Sequence, residues 1–393
     1  MGKRIVIVGG GTAGLSVMRN LHRKRGDLEI TIIEPNETHY YQPLWTLVGG
    51  GVFPMERSSR PFARFVPSSV RWIKDQVTTF EPTDSQVTLT SGEKLSYDFL
   101  VVAPGIQLDW QKVEGLKETL GRNGVCSNYS RENVGYTWET MKSLKKGRAL
   151  FTFPSTPIKC AGAPQKVMYL AEETFRDNGV RQDVEVKFVS AGAAIFGVAK
   201  YRAALEKVIA KRGINTLFKH DLVKIDGGKR VAFFKNMDSG QIIEEAFDMV
   251  HVTPPMSAPD FIKKSPLANE AGWVDVNKHT TQHNKFKNVF SCGDASSLPN
   301  SKTGAAIRKQ GPVLVAHLLA AVDGRSASAS YNGYASCPLV TSRSSCILAE
   351  FDYDGNPAET FPFDQGKERY SMYVLKKDVI PFMYWNAMMK GYF

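Results

Sequence analysis

Short apolar runs separated by amphipathic stretches set the texture of this chain. The run RIVIV at 4–8 is apolar on both alternating faces, the pattern of a strand buried on both sides of a sheet. Apolar positions at helical spacing follow to about Arg25, and a second run, EITIIE, closes at Glu34. Further strand runs stand at YDFLVVAPG (97–105), ALFTF (149–153), DVEVKFVS (183–190) and FKNVFSC (286–292), and another helical stretch starts near Thr303. Strands alternating with helices predict parallel sheets in an α/β fold. No run reaches the ~18 apolar residues that a membrane-spanning helix needs.

Between the first strand and its helix the sequence GGGTAG places Gly9, Gly11 and Gly14 in G-x-G-x-x-G spacing, with Thr12 and Ala13 inside the turn. The first glycine permits the turn, the second lets backbone approach a pyrophosphate, and the third brings helix and strand together. The helix N-terminus then offers amides and a positive dipole end to phosphates. Glu34, at the end of the second strand, is placed to accept ribose hydroxyls and to repel a 2′-phosphate. A dinucleotide site follows, for FAD or NAD. Two later segments favour FAD. YDFLVVAPG ends in a turn at Gly105, and FKNVFSCGDAS sets Asp294 after Gly293. They resemble the second and third signatures of two-dinucleotide flavoproteins, in which the aspartate binds the ribityl chain. The expected organisation is two Rossmann-like domains and a C-terminal subdomain. The FAD domain is discontinuous, 1–115 and 260–330. Residues 116–259 form the second domain, and 331–393 the tail.

The second domain carries a damaged fingerprint. Gly192 is followed by Ala194 where the second glycine belongs, then by Ile195 and Phe196, and Lys219 and His220 stand where an acid should close the next strand. Such a turn disfavours NADH. The tail is dense in aromatics, Met and Lys, interrupted by Pro362 and Pro381. It reads either as completion of the core or as a face that meets a membrane and admits a hydrophobic ligand. On the second reading Phe382, Tyr384, Trp385 and Met388 or Met389 face lipid, with Lys376, Lys377 and Lys390 toward anionic headgroups.

The 393 residues carry a net charge of +11, which suits anionic substrates or lipids. The charges are scattered without a long basic run, which argues against nucleic acid. The first strand begins four residues from the start, which leaves no room for a presequence in this numbering. Five cysteines, at 126, 160, 292, 337 and 346, are too few and too irregular for a disulfide framework or a zinc site, and the seven histidines form no ligand cluster. His39 and His251 border informative segments and read as structural. The segment THYYQPLWTLVGGGV after the first βαβ unit lacks the C-x4-C pair of dithiol reductases. Cys160 follows Lys159 and precedes Ala-Gly-Ala-Pro, and Cys337 precedes Pro338. A neighbouring cation favours the reactive thiolate. On the residues alone, each is either redox-active or a packing residue.

Many long segments resemble the sulfide:quinone oxidoreductase family, closest to its mitochondrial type. Among them are FTFPSTPIKCAGAPQKVMYLAEETFR, HVTPPMSAPD, GDASSLPNSKTGAA, SCPLVT, ILAEFDYDGNPAETFPFDQGKERYSMY and PFMYWNAMMKGY. The resemblance spans nearly the whole chain. It implies that Cys160 and Cys337 are the catalytic pair, bridged at rest as a disulfide or trisulfide. It also implies that hydrogen sulfide opens the bridge, leaving a persulfide on Cys337 and a thiolate on Cys160 that reacts with the flavin. Two electrons then pass through FAD to a ubiquinone-type quinone, and a small acceptor (sulfite, glutathione, cyanide or sulfide) removes the sulfur. Implied FAD contacts are Gly9, Gly11, Thr12, Ala13, Gly14, Glu34, Gln42, Val77, Gly105, Asp294, Lys302 and Thr303. Implied quinone contacts are Ile347, Lys376, Phe382 and Tyr384. No metal is implied. A peripheral place on the mitochondrial inner membrane is expected, and a homo-oligomer is compatible. Cys126 departs from the pattern and is read either as a sulfur-storing residue or as neutral variation; Cys292 and Cys346 read as packing. The rival readings are a type-II NADH:quinone oxidoreductase and a flavocytochrome-type sulfide dehydrogenase.

Overall fold

The computed structural model describes residues 2–393. Two five-stranded parallel sheets form its frame. The first runs in the order Val289–Ser291, Phe99–Val102, Arg4–Val8, Glu29–Ile33, Arg71–Ile73. Ile5 and Ile7 face one side and Val6 and Val8 the other, and all four are buried, as the unbroken apolar run requires. The Thr12–Lys24 and Gly304–Val322 helices cover one face with Leu15, Met18, Leu314 and Leu318. Because Val289–Ser291 pairs beside Phe99–Val102, chain from far along the sequence returns to this sheet and delivers Asp294 to its carboxyl end.

The glycine turn has the predicted geometry. Gly9 sits at φ +97°, where a side chain is strained, and a Cβ on Gly14 would stand 1.8 Å from the Gly9 carbonyl oxygen. Close helix–strand packing thus requires glycine at both ends of the turn.

The second sheet is ordered Val125–Cys126, Met249–His251, Gly147–Phe153, Val184–Ser190, Asn215–Phe218. At its damaged fingerprint the next helix begins only at Ala199. Ile195 and Phe196 turn inward and are buried, and Phe196 packs edge-on against Tyr201 and Phe351. Bulky side chains therefore fill the turn that a nucleotide-binding domain keeps bare.

The tail is a hairpin, Ala335–Ser342 with Ser345–Phe351, and then a helix whose middle turn, Leu375–Val379, is a π-bulge. Strand alternation splits the hairpin between two cores: Cys337, Leu339, Ile347 and Ala349 enter the second, Val340, Cys346 and Leu348 the first. Cys337 is thereby fixed where the two cores meet. The tail helix mostly completes the first core, with Met372, Tyr373, Tyr384, Met388 and Met389 buried. Of the aromatics expected to face lipid, Phe382 is 66% exposed, whereas Tyr384 stacks on Tyr41 at 4.0 Å and Trp385 on Phe65 at 5.7 Å. No helix among the described residues is long and apolar enough to cross a membrane.

Candidate active site

One cavity of about 850 Å³ joins the carboxyl end of the first sheet to the tail. Gly10, Gly11, Thr12, Ala13 and Glu34 line one end; Gln42, Gly105, Asp294, Lys302 and Thr303 line the middle. A Cβ on Gly11 would meet nothing within 4 Å, so the turn presents bare backbone to the cavity, and the first turn of the following helix holds no acid to repel a phosphate. The Glu34 carboxylate accepts from the Gly10 amide at 2.7 Å and from the Asn36 amide at 2.9 Å, which fixes it at the strand end. Thr303 caps the Gly304–Val322 helix by accepting from the Ala306 amide at 3.2 Å. This cradle fits a flavin dinucleotide: backbone amides for the pyrophosphate, a carboxylate for the ribose, and a second carboxylate, Asp294, deeper in.

Not every expected contact reaches the cavity wall. Gly9 and Gly14 shape the turn from behind. Val77 is buried on the inner face of its strand beside Phe80, and Ile347 points into the second core because Leu348 takes the opposite face. Phe382 lies on the outer side of its helix, in a separate surface cleft. Tyr384 and Lys376 do line the cavity. The Lys376 ammonium, buried in the π-bulge, donates to the Pro43 carbonyl at 3.0 Å.

Cys160 and Cys337, 177 residues apart, place their sulfurs 3.8 Å from each other. Cys160 lines the cavity, while Cys337 is 1% exposed. Cys160 adopts φ +58°, a left-handed backbone that costs a non-glycine residue about 1–2 kcal/mol. It is pinned there by its amide on the Lys302 carbonyl (2.8 Å) and by its carbonyl, which accepts from the Ala163 amide (2.8 Å). The Ala163–Asp177 helix starts just beyond, with its positive end toward the sulfurs.

The cation at the thiol is Lys166, not Lys159. The Lys166 side chain, buried in the first turn of that helix, points its ammonium at the Cys160 sulfur at 3.3 Å. Lys159 turns away, donates to Gln42 at 2.5 Å, and lies over the Trp45 and Tyr129 rings. The left-handed turn at Cys160 separates it from the Lys159 side chain, whereas the first turn of the helix beyond carries Lys166 back over the cysteine. Cys160 is held well below the ordinary thiol range, first by the hydrogen bond from Cys337 and then by the Lys166 charge. Cys337, the donor of the pair, is pushed well above it. Burial works against the Lys166 ammonium, but the two sulfurs keep it charged, above its usual value.

Three further lysines face the cavity. Burial lowers Lys159, Lys302 and Lys376 to about 8 each, and Asp294 opposes the shift in the first two. Burial likewise raises Asp294, while Lys302 and Lys159 restrain it. Lys302 is held in place at the cavity: it donates to the Ser296 carbonyl at 3.1 Å and covers the Trp273 ring at 4.1 Å.

His39 ties the tail to the glycine turn. Its Nδ1 donates to the Gly10 carbonyl at 3.2 Å, so its neutral Nε2 accepts from the Tyr384 hydroxyl at 2.5 Å, and Tyr384 in turn accepts from Thr12 at 2.8 Å. Burial depresses the His39 imidazole to about 4, which keeps that tautomer fixed. Sequence reading missed both this chain and Lys166; the only signal for Lys166 was a cation within one turn of a helix that opens right after Cys160.

The remaining cysteines are buried away from the cavity wall. Cys126, Cys292 and Cys346 are each 0% exposed, and burial pushes each thiol up to about 12. Cys126 donates to the Val250 carbonyl inside the second core.

A glycine-turn cradle beside two close sulfurs defines a flavin-dependent disulfide-type oxidoreductase, and comparison with known proteins agrees. The family described as "Pyridine nucleotide-disulphide oxidoreductase" matches residues 3–143. The mitochondrial sulfide:quinone oxidoreductase of Mus musculus is 46% identical over 389 residues, covering 99% of this chain and 86% of the mouse protein. That of Dictyostelium discoideum is 48% identical over 391 residues, with the same coverage. The crystallographic sulfide:quinone oxidoreductase of Aquifex aeolicus superposes with a TM-score of 0.86 at 19% identity, covering 99% of this chain and 92% of that one, so the fold is shared. The chain belongs to the sulfide:quinone oxidoreductase family and is an FAD-dependent oxidoreductase.

Proposed function

We propose that the chain oxidises hydrogen sulfide at Cys160 and Cys337 and passes the electrons to a quinone. The observation that carries this reading is the pair of sulfurs 3.8 Å apart with the Lys166 ammonium 3.3 Å from one of them. A disulfide bond is about 2.05 Å long, and two such bonds meeting at a bent middle sulfur hold their outer sulfurs only a little over ~3 Å apart, so the pair must close by well over ~1 Å for a direct bridge and by less for one intervening sulfur.

In the proposed cycle HS⁻ attacks the Cys337 sulfur of the bridge. A new S–S bond forms on Cys337 as a persulfide, the Cys160–Cys337 bond breaks, and Cys160 leaves as a thiolate. Lys166 stabilises that thiolate, and the helix end beyond Gly162 adds to it. A small nucleophile (sulfite, glutathione, cyanide or a second sulfide) removes the sulfane sulfur, which leaves two thiolates. Their re-formation of the bridge releases two electrons, and bound FAD supplies the acceptor for these and the conduit to quinone. We assign the cradle to Gly11, Thr12, Ala13, Glu34, Gln42, Gly105, Asp294, Lys302 and Thr303, with Gly9 and Gly14 shaping it. Lys376 and Tyr384 are the quinone-side residues, a narrower set than the sequence suggested. We divide the chain into an FAD domain (1–115 and 260–330), a second domain (116–259) and the tail (331–393). The family relationship supports a mitochondrial enzyme, and the exposed Phe382 supports peripheral contact with the inner membrane.

The inward-packed Ile195 and Phe196 argue against the NADH:quinone alternative. Under anaerobic conditions sulfide is expected to bleach the flavin absorbance and NADH to leave it unchanged. Rapid bleaching by NADH alone would reverse the assignment.

Gly162 supplies a second check. It is helical at φ −87°, so alanine is conformationally allowed, but a Cβ would stand 2.3 Å from the Cys337 sulfur and 2.4 Å from Leu339. Gly162→Ala must therefore displace one redox partner. Sulfide-driven flavin reduction is expected to slow by about a hundredfold, as for a misplacement near 1 Å, with FAD content unchanged. A wild-type rate in stopped-flow would show that the spacing of the pair does not limit the reaction.

A further inference from the structure

On the outer face of the Ile380–Asn386 helix lies a cleft of about 530 Å³ that plays no part in the chemistry above. Arg57, Arg60 and Arg64 border it. They come from the short segments that follow the first βαβ unit, and none of the three is in an ion pair among the described residues. The acid in the cleft, Asp378, is engaged by Lys377 at 2.8 Å. The Arg57 guanidinium rests on the Phe53 ring at 4.4 Å and that of Arg60 on the Trp385 ring at 5.0 Å, so aromatic faces hold their planes while their N–H groups stay unpaired with acids. Phe65 and Trp385, stacked on each other, form an apolar wall.

Opposite the arginines the cleft has an apolar, outward flank. Phe382, which lines it, is 66% exposed, and Val379, next in the chain to Asp378 and three residues before Phe382 on the same helix face, is 40% exposed. Tyr370, at 66%, opens the same helical segment. The opposite face of the helix presents Ile380, Met383 and Tyr384 to the cavity where we place the quinone.

We propose that this cleft binds the phosphate headgroup of an anionic phospholipid, with Phe382 and Val379 entering the acyl region. The charges select the headgroup: guanidinium groups pair phosphate oxygens in two-pronged fashion, and each basic side chain at an anionic surface adds to the attraction. The exposed apolar rim selects a lipid over a free anion, because a soluble phosphate leaves Phe382 and Val379 in water. A lipid bound there holds the quinone end of the cavity against the bilayer that stores a lipophilic quinone. The inference rests on the proposed membrane contact and names its chemistry.

The test is vesicle co-sedimentation of the FAD-loaded protein, with phosphatidylcholine vesicles and with phosphatidylcholine–phosphatidylglycerol vesicles. Two variants are compared with wild type: Arg57→Gln/Arg60→Gln/Arg64→Gln, and Phe382→Ser. Wild type is expected to bind the anionic vesicles, and the triple variant at least about tenfold more weakly, with a shallower dependence on salt. Phe382→Ser is expected to weaken binding to both kinds of vesicle. Flavin reduction by sulfide in solution stays at the wild-type rate in both variants, because neither touches the cavity. Equal binding of wild type and triple variant to anionic vesicles overturns the headgroup site while leaving the membrane contact standing. Absence of wild-type binding to any vesicle overturns both. Displacement of the protein from vesicles by millimolar inorganic phosphate, with no salt effect of chloride, overturns the lipid assignment in favour of a soluble anion.

Discussion

Cys337→Ser is expected to abolish sulfide:quinone turnover, by at least about 10³-fold, while FAD stays bound. Serine keeps the size of the buried side chain at the junction of the two cores but cannot form a sulfur bridge. Without that bridge HS⁻ has no S–S bond to attack, and no persulfide can form. Cys160→Ser is expected to cost as much, and the double variant no more than either alone, because the two residues act as one unit. Retained flavin absorbance and a cooperative melt separate this loss from misfolding. A Cys337→Ser enzyme that turns over at the wild-type rate removes the pair from the mechanism.

The second large effect is expected at Lys166. Lys166→Met keeps the length of the buried side chain and removes the charge 3.3 Å from Cys160. The Cys160 thiol lies below its ordinary range partly through that charge. Below its pKa the thiol is protonated and inert; removing the cation raises the pKa, so the acid limb of the pH–rate profile moves upward. A shift of about one pH unit is expected, together with a fall of roughly tenfold or more in flavin reduction at neutral pH. Lys377→Met, at a surface lysine paired with Asp378, serves as the control and should leave the profile in place. A fall in rate with an unmoved profile would make Lys166 a packing residue and not an electrostatic partner.

How legible the site was depended on how local each feature is. The opening strand–helix–strand unit, its glycine turn and Glu34 could be read directly, because they follow one another within thirty-odd residues and each has its own periodicity; the edge strand Arg71–Ile73 of the same sheet was not seen. The damaged second turn was equally plain, since Ile195 and Phe196 are too large for it. The cysteine pair was different. Nothing in spacing links residues 160 and 337, and only the family resemblance joined them; the hairpin that straddles two cores is what brings their sulfurs together. Lys166 was overlooked in favour of the adjacent Lys159 because a left-handed turn at Cys160 parts the sequence neighbours, while the helix beyond returns Lys166 to the sulfur. Val77, Ile347 and Phe382 do not line the cavity for a related reason: facing is set by strand register for Val77 and Ile347 and by helix rotation for Phe382, and short apolar runs do not declare it. The arginine cleft was invisible because its three arginines and Phe65 come from one end of the chain and Phe382 and Trp385 from the other.

Cys160 and Cys337 are expected to form a bridge that sulfide opens. Non-reducing peptide mapping of the oxidised enzyme, before and after anaerobic sulfide, tests it most directly. One cross-linked pair of peptides carrying residues 160 and 337 is expected before sulfide. After sulfide two separate peptides are expected, with one added sulfur on Cys337 and an alkylatable Cys160. Free alkylation of both cysteines in the oxidised enzyme, with no cross-link and no change on adding sulfide, would contradict it.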